Sequence, residues 1–315
     1  MENFPELNAQ ETQEQFRTKC LAEAGLNYSI AAVLPLILSL AVSFIALLIV
    51  GEDYSSADWY LYFAYLVSQL CFAGAAVIYF ARSKEPVKNA FKGCKWYYFL
   101  LAILLQFGLF FSLSALNEYF IAFFEMLGYE ESLSPIPSLS GWNLIPALIV
   151  IALLPAICEE TIFRGILSRN MHARGWGLLS TCLIAGAMFS LFHGNPEQTA
   201  YQFVCGACFT LVAIRSGSIF PTMVAHFLNN AIILIFTSRG ISDFSAIPQV
   251  WNIVLYTLSA LCFVGTLVYL VIFDKNGNQK GGVKAGKLFF LAAAVGIAVC
   301  GAEWIVALVT GFIHG

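Results

Sequence analysis

Charged side chains are scarce in this sequence. Asp, Glu, Lys and Arg make up 11% of its 315 residues, whereas hydrophobic residues make up 59%; a soluble domain has roughly 25% charged residues. The formal net charge is −3, so the chain also lacks the basic excess that is typical of nucleic-acid binding. The composition excludes an ordinary soluble domain. It predicts an integral membrane protein whose partner is the lipid bilayer and which does not bind nucleic acid.

The sequence also lacks features that would divide it into several domains. It has no internal repeat and no change of composition that marks a second domain. Its first residues are polar and acidic, without the pattern of a cleavable signal peptide. We therefore expect a polar cytoplasmic segment over 1–28, followed by a single membrane-embedded helical domain over 29–315.

The hydrophobic runs do not show the alternation of membrane-spanning β-strands. Backbone groups in lipid must hydrogen-bond within the chain, so such runs form helices, and about 20 apolar residues cross a bilayer. The expected fold is an all-α, polytopic bundle of transmembrane helices. The run at 200–214 is short and could be tilted or partly re-entrant, so the expected number of spans is eight or nine. The runs are 29–50, 60–80, 97–124, 142–172, 178–195, 200–214, 219–237, 250–273 and 288–310.

Basic residues are almost absent from one side of the predicted membrane. With nine spans, Arg239 is the one residue among 16 Lys and Arg that falls on the side opposite the N-terminus. Lys and Arg are enriched in cytoplasmic segments. We therefore expect a multi-pass protein with a cytoplasmic N-terminus, and the compact chain without organelle signals favours a bacterial cell membrane.

Three polar groups interrupt the apolar runs. Ionisable side chains at bilayer depth cost several kcal/mol or more unless they are paired or functional. Together the groups contain two carboxylates, two imidazoles, an amide and a guanidinium, which is enough for a hydrolytic site. The residues are Glu159, Glu160, Arg164, His193, His226 and Asn230.

The spacing of these residues predicts that they converge. Glu159 and His193 are equally far along the chain from a turn predicted at Gly175–Gly177, so two antiparallel helices place them at one level. His226 and Asn230 are four residues apart and share a helix face. We expect the site between the helices near 142–172, 178–195 and 219–237.

Each residue also has a purely structural interpretation. The i,i+4 spacing of Glu160 and Arg164 favours an ion pair, which leaves Glu159, about 100° away on the helix, to face a cavity. A single His193 is commonly a hydrogen-bonded core residue, and a single Asn230 commonly joins two helices. From the residues alone, a hydrolytic or metal site and proton-coupled transport both stay open.

The three groups resemble the motifs of a known family. A Glu-Glu-x-x-x-Arg sequence beginning at Glu159, a Phe-x-x-x-His sequence ending at His193 and a His-x-x-x-Asn sequence beginning at His226 look like those of the CPBP family. They occur in the family's order within a core of about 142–237. The family joins type II CAAX prenyl endopeptidases with bacterial "Abi" and bacteriocin-processing membrane proteins. The resemblance implies an intramembrane endopeptidase of the glutamate type.

The resemblance also implies catalytic roles for four residues. Glu159 matches the glutamate that activates water, and His193 matches its partner. His226 and Asn230 match the pair that stabilises the oxyanion. The expected reaction is hydrolysis of a peptide bond inside the membrane.

We expect this reaction to use no cofactor. The resemblance gives supporting roles to Glu160 and Arg164, which complete the first motif. Glu159, Glu160, His193 and His226 have the oxygen and nitrogen ligands that zinc accepts, so a zinc-dependent protease is an alternative. The chain lacks the His-Glu-x-x-His helix that indicates zinc directly.

The substrate is not identified by the sequence. We expect a membrane-associated peptide or protein that reaches the site from the cytoplasm, as in the prenyl endopeptidase branch. An alternative from another class is a non-enzymatic membrane partner or immunity protein that uses the same fold as a scaffold. The intact motifs count against that alternative.

Overall fold

The computed structural model describes residues 9–130, 135–241, 247–279 and 281–314, and the regular structure in these ranges is entirely helical. The expected all-α fold is therefore confirmed. Within these described ranges, nine long helices correspond to the nine predicted hydrophobic runs. They are α1 (Ala9–Val50), α2 (Asp58–Ser83), α3 (Tyr97–Met126), α4 (Gly141–Ala173), α5 (Leu178–Phe192), α6 (Thr199–Ser216), α7 (Phe220–Ser238), α8 (Gln249–Phe273) and α9 (Gly286–His314).

The number of spans is lower than the expected eight or nine. Within the described ranges, 7 helices are long and apolar enough to cross a membrane; α5 and α6 are not among them. Helix α5 has 15 residues, so its length is about 22 Å, less than the roughly 30 Å of a bilayer's hydrocarbon core. The observed number is close to the expected one, and the difference lies in α5 and α6.

Helices α5 and α6 form a closely packed antiparallel hairpin. A Cβ atom added to Gly206 would lie 2.9 Å from the Cα atom of Gly186, so the two backbones touch at these glycines. Small residues allow such close approach between membrane helices. The tip of the hairpin contacts the interior of α9, where Trp304 Nε1 donates a hydrogen bond to Thr199 Oγ1 at 2.8 Å. The hairpin thus turns inside the bundle.

The predicted turn between α4 and α5 is observed. Gly175 has a φ of 96°, a left-handed conformation that favours glycine. The side chain of Trp176 is fully buried, and its Nε1 donates to the carbonyl oxygen of Lys284 at 2.7 Å. The turn is therefore anchored against the connection between α8 and α9.

Helix α4 is not a regular α-helix. It contains two π-helical segments, Leu148–Leu153 and Thr161–Ser168, on either side of a short α-helical stretch, Leu154–Glu160. Such π segments are rare in proteins, and those that occur are often found at functional sites. The glutamate pair lies at the end of the α-helical stretch, where the second π segment begins.

Candidate active site

Glu160 is the centre of a buried polar cluster. Its side chain has no solvent exposure, and its Oε1 accepts hydrogen bonds from Arg164 Nη1 at 2.7 Å and from His226 Nδ1 at 3.0 Å. The predicted ion pair between Glu160 and Arg164 is therefore confirmed. Glu160 and Arg164 both lie on α4, and the hydrogen bond from His226 joins this pair to α7. Removing one partner of a buried ion pair is strongly destabilising.

Arg164 connects this cluster to the hairpin. Its Nη2 donates to the carbonyl oxygen of Gly206 at 3.2 Å, and its guanidinium carbon lies 4.5 Å from the centre of the Phe189 ring. A guanidinium at this distance from an aromatic face gains cation–π attraction. Arg164 is thus bound from α5 and α6 as well as from its own helix.

Glu159 faces away from this cluster. It lines a cavity of about 580 Å³, and its Oε2 is 3.9 Å from His226 Nε2. This oxygen has no hydrogen-bond partner among the residues that the structure describes. The adjacent glutamates therefore differ: one carboxylate is held by two donors, and the other is available in the cavity.

In both histidines, Nδ1 lies within hydrogen-bonding distance of a protein oxygen. His193 Nδ1 lies 2.8 Å from the carbonyl oxygen of Phe189, and His226 Nδ1 lies 3.0 Å from Glu160 Oε1. Carbonyl and carboxylate oxygens only accept, so each Nδ1 carries the hydrogen. In the neutral state of each ring, Nε2 keeps its lone pair. Both histidines line the cavity that Glu159 faces.

Asn230 lies one turn beyond His226 on α7. Its Nδ2 donates to the carbonyl oxygen of Ile151 at 3.2 Å, and its Oδ1 accepts from Asn229 Nδ2 at 3.0 Å. Asn230 therefore joins α7 to the first π segment of α4, and it also lines the cavity. Asn230 therefore makes the predicted interhelical contact and also lines the site.

Asn229 is a cavity residue that the sequence analysis does not identify. Its Oδ1 accepts from Gln106 Nε2 at 2.7 Å and from the Tyr201 hydroxyl at 3.1 Å, so it links α3, α6 and α7. Two sequence features point to this contact: an isolated amide, Gln106, in an apolar run, and the adjacent pair Asn229 and Asn230 on α7. Gln106 and Tyr201 line the same cavity.

A second cavity, of about 530 Å³, lies on the other side of His193 and is lined by Glu303 of α9. The two cavities share His193 among their lining residues. Glu303 is part-buried there, next to Gly194, whose added Cβ would lie 3.7 Å from the Glu303 Cβ atom.

All four residues predicted to be catalytic therefore line one cavity, and the two predicted to be supporting lie behind it. Their roles in a reaction stay predictions. Among the described side chains, no group of three or more His, Cys, Asp or Glu is arranged to hold a metal ion. The residues are Glu159, His193, His226 and Asn230 around the cavity, and Glu160 and Arg164 behind it.

The fold and the cavity define a multi-pass membrane protein with a carboxylate, two imidazoles and an amide around an internal cavity. Residues 141–232, which contain all three polar groups, match the family model described as Type II CAAX prenyl endopeptidase Rce1-like. The resemblance indicated by the motifs is therefore confirmed over that segment, which is less than a third of the chain.

A curated relative is similar over a limited part of the chain. The uncharacterized protein YyaK of Bacillus subtilis (strain 168) is 28% identical over 120 residues, which is 36% of this chain and 40% of that protein. The matched region thus spans less than half of either protein. No solved structure matches the chain.

Proposed function

We propose that the protein hydrolyses peptide bonds of membrane-associated peptides or proteins, using a water molecule that Glu159 activates. The observation that carries the proposal is the contrast between the two adjacent glutamates. Oε1 of the fully buried Glu160 is bound by Arg164 and His226, and Glu160 does not line the cavity. Glu159 lines the cavity, and its Oε2 has no hydrogen-bond partner among the described residues. A carboxylate in this position can accept a proton from water.

The reaction begins with attack of the water oxygen on the carbonyl carbon of the scissile bond. The Glu159 carboxylate takes one proton from the water, and His193 Nε2 provides a second acceptor for the other hydrogen. The tetrahedral intermediate then breaks its C–N bond, and the proton held by Glu159 passes to the departing amine. The immediate products are a carboxylic acid and a free amine, with Glu159 ionised again; His193 Nε2 can then accept the acid's remaining proton, so atoms and charge balance.

The carbonyl oxygen becomes an oxyanion during this step. His226 can donate to it from Nε2 when the ring is protonated at both nitrogens, and its Nδ1 contact with Glu160 stabilises that cationic ring. Asn230 Nδ2 has a second hydrogen beyond the one given to Ile151. Two donors at one oxyanion are a common source of rate enhancement in hydrolases.

Glu160 and Arg164 act as positioning residues in this proposal. Glu160 sets the hydrogen on His226 Nδ1, and Arg164 neutralises Glu160 while it binds the α5–α6 hairpin that carries His193. Neither residue lines the cavity. Their effect on the reaction is through the orientation of the two imidazoles.

We propose that this reaction needs no metal ion. A zinc ion that used Glu160 Oε1 would share this oxygen with the Arg164 guanidinium, 2.7 Å away. A cation beside that oxygen opposes binding of a second, divalent cation. A zinc site that includes Glu160 Oε1 is therefore disfavoured, and among the described side chains no group of three or more His, Cys, Asp or Glu is arranged to hold a metal ion. We expect hydrolysis to persist after extended treatment with strong chelators.

The test compares Glu159→Gln with wild type, as purified proteins in nanodiscs and as expressed in cells. We expect new peptide N-termini with wild type that are absent with Glu159→Gln. The matched control is Glu118→Gln, which removes an exposed carboxylate of α3 that does not line the cavity. If wild type and Glu159→Gln release the same peptides at equal protein levels, the enzyme proposal fails. A non-enzymatic scaffold would then be the better interpretation.

A further inference from the structure

The cavity extends from Glu159 towards one end of the bundle. Its other lining residues include Asn117 near the end of α3, Ile136 in the connection to α4, and Thr237 near the end of α7. These positions lie at one end of the molecule, because the α3–α4 connection contacts the start of α2 there: the Ser138 backbone N–H donates to Asp58 Oδ1 at 2.7 Å. We call this end the cavity end.

The opposite end of the bundle carries the basic residues. Two contacts mark this end: Arg174 Nη2 pairs with Glu14 at 2.9 Å, and Arg215 Nη1 donates to the carbonyl oxygen of Asn276 at 2.7 Å. Of the 15 Lys and Arg residues in the described ranges, Arg239 is the one that follows a helix end at the cavity end. Positive charge marks the cytoplasmic side of membrane proteins, so the cavity end faces away from the cytoplasm.

Packed side chains close the route from the basic end to the site. Phe163, Ile166, Leu167 and Met171, on the last turns of α4, are at most 1% exposed. A small cavity of about 100 Å³ lies at that end and is lined by Arg164. It shares no lining residue with the cavity that Glu159 faces.

The cavity lining is rich in neutral carboxamides. Gln69, Gln106, Asn117 and Gln202 come from α2, α3 and α6. The amide oxygens of Gln69, Gln106 and Asn117 have no hydrogen-bond partner within the described part of the chain. Gln69 and Gln106 are 5% and 3% exposed, and a buried amide without a partner is costly. A carboxamide has N–H donors and a C=O acceptor, which can pair with the C=O and N–H of a peptide group. An extended peptide backbone can therefore satisfy such a lining.

We propose, resting on the proposed function, that the site is entered from the side opposite the basic residues and that its substrate is an extended polypeptide segment on that extracytoplasmic side. This direction is the reverse of the cytoplasmic access expected from the prenyl endopeptidase branch. Apart from Glu159 and the two histidines, the lining includes no side chain of the acidic or basic type among the described residues. We therefore expect uncharged residues around the scissile bond.

The direction is tested without any measurement of activity. Thr237→Cys places a thiol at an exposed position of the cavity end, and Lys284→Cys places one at an exposed position of the basic end. Each variant is treated with a membrane-impermeant maleimide in right-side-out and in inverted vesicles, and labelling of the nine native cysteines in wild type is subtracted. We expect Thr237→Cys to react in right-side-out vesicles and Lys284→Cys in inverted ones. The reverse pattern would overturn the proposed direction.

The substrate is tested by mapping new N-termini on membrane and exported proteins of known topology. We expect the N-termini that depend on Glu159 to fall in segments on the extracytoplasmic side. A majority in cytoplasmic segments would overturn this inference while leaving the proposed hydrolysis intact. If no N-terminus depends on Glu159, the proposed function itself fails, and the labelling result still decides which side the cavity faces.

Discussion

Glu159 and Glu160 are adjacent in the chain, yet their carboxylates contact different nitrogens of the same His226 ring. Glu160 Oε1 lies 3.0 Å from Nδ1, and Glu159 Oε2 lies 3.9 Å from Nε2. The first carboxylate is also paired with Arg164, whereas the second borders the cavity. The same substitution at these neighbouring positions should therefore have different consequences.

Glu159→Gln should abolish hydrolysis and leave the fold intact. A positioned general base typically contributes about 10²–10⁴-fold to a rate, and an amide at this position cannot accept the proton. The measurement is kcat with a cleaved peptide, together with the unfolding temperature in detergent. Glu118→Gln is the control. Retained activity in Glu159→Gln would contradict the assigned role.

Glu160→Gln should instead lower the unfolding temperature. It leaves the buried Arg164 guanidinium without its anionic partner, and breaking a buried ion pair costs about 3–5 kcal/mol. The double variant Glu160→Gln, Arg164→Met removes both charges and should be more stable than the single variant. An unchanged unfolding temperature in Glu160→Gln would argue that the pair has little influence on the fold.

Asn230→Ala separates a catalytic role from a structural one. Loss of one oxyanion donor costs about 2.7–4 kcal/mol of transition-state stabilisation, so kcat should fall about 10²–10³-fold with little change in KM. Loss of its hydrogen bond to Ile151 should cost only about 0.6 kcal/mol of stability, as is usual between membrane helices. A large drop in unfolding temperature with normal kcat would support a structural role alone.

Stability at acidic pH should depend on Glu85, which follows α2 at the basic end of the bundle. Burial by itself raises the pKa of this carboxyl, but its hydrogen bonds and charge pairing with Arg169, and a hydrogen bond from Tyr79, outweigh burial and hold the pKa below the ordinary 4.5. The native state therefore favours the ionised form. Its contribution to stability is complete above pH 4.5 and is lost as the pH falls through the lowered native value.

The corresponding measurement is the unfolding temperature of wild type and Glu85→Gln from pH 7 down to pH 3. Glu85→Gln should be less stable than wild type at pH 7, and the difference should shrink towards pH 3 as the wild-type carboxyl becomes protonated. A difference that stays constant over this range would show that ionisation of Glu85 does not contribute.

Gly206→Ala should disturb the hairpin and, through it, the site. The added Cβ would lie 2.9 Å from Gly186 Cα and 3.0 Å from Phe189 Cβ, so α5 and α6 must separate. Overpacking of this kind typically costs about 1–3 kcal/mol, and it should also displace the Gly206 carbonyl that binds Arg164. Gly265→Ala is the control, because nothing lies within 4 Å of its added Cβ. Equal activity and stability in both variants would contradict a role for the close crossing.

Much of this architecture can be predicted from hydropathy and spacing. The nine hydrophobic runs correspond to nine helices, the turn at Gly175–Gly177 is present, and the i,i+4 spacing of Glu160 and Arg164 does produce an ion pair. These features depend on local periodicity and on neighbours in one helix. The predicted cavity residues also face one cavity, because matched distances along antiparallel helices bring side chains to one level.

Other features could not be obtained in this way. Hydropathy alone counts α5 and α6 as separate spans, since an apolar run does not reveal whether a helix crosses the bilayer or turns back within it. Asn229 and Gln106 are far apart in the chain, and their hydrogen bond depends on how α3 packs against α7. Long-range packing of this kind leaves no pattern in a single sequence.

The sequence by itself determined that this chain is a helical membrane protein with a polar cluster, because lipid offers backbone groups no partners and makes isolated charges expensive. Only the tertiary structure decided that His226 binds Glu160, that the Gly206 carbonyl binds Arg164, and towards which end the cavity extends. The physical reason is that a side chain's surroundings are set by the helices packed against it. Those helices can come from distant parts of the chain, as with Glu160 and His226, which are 66 residues apart.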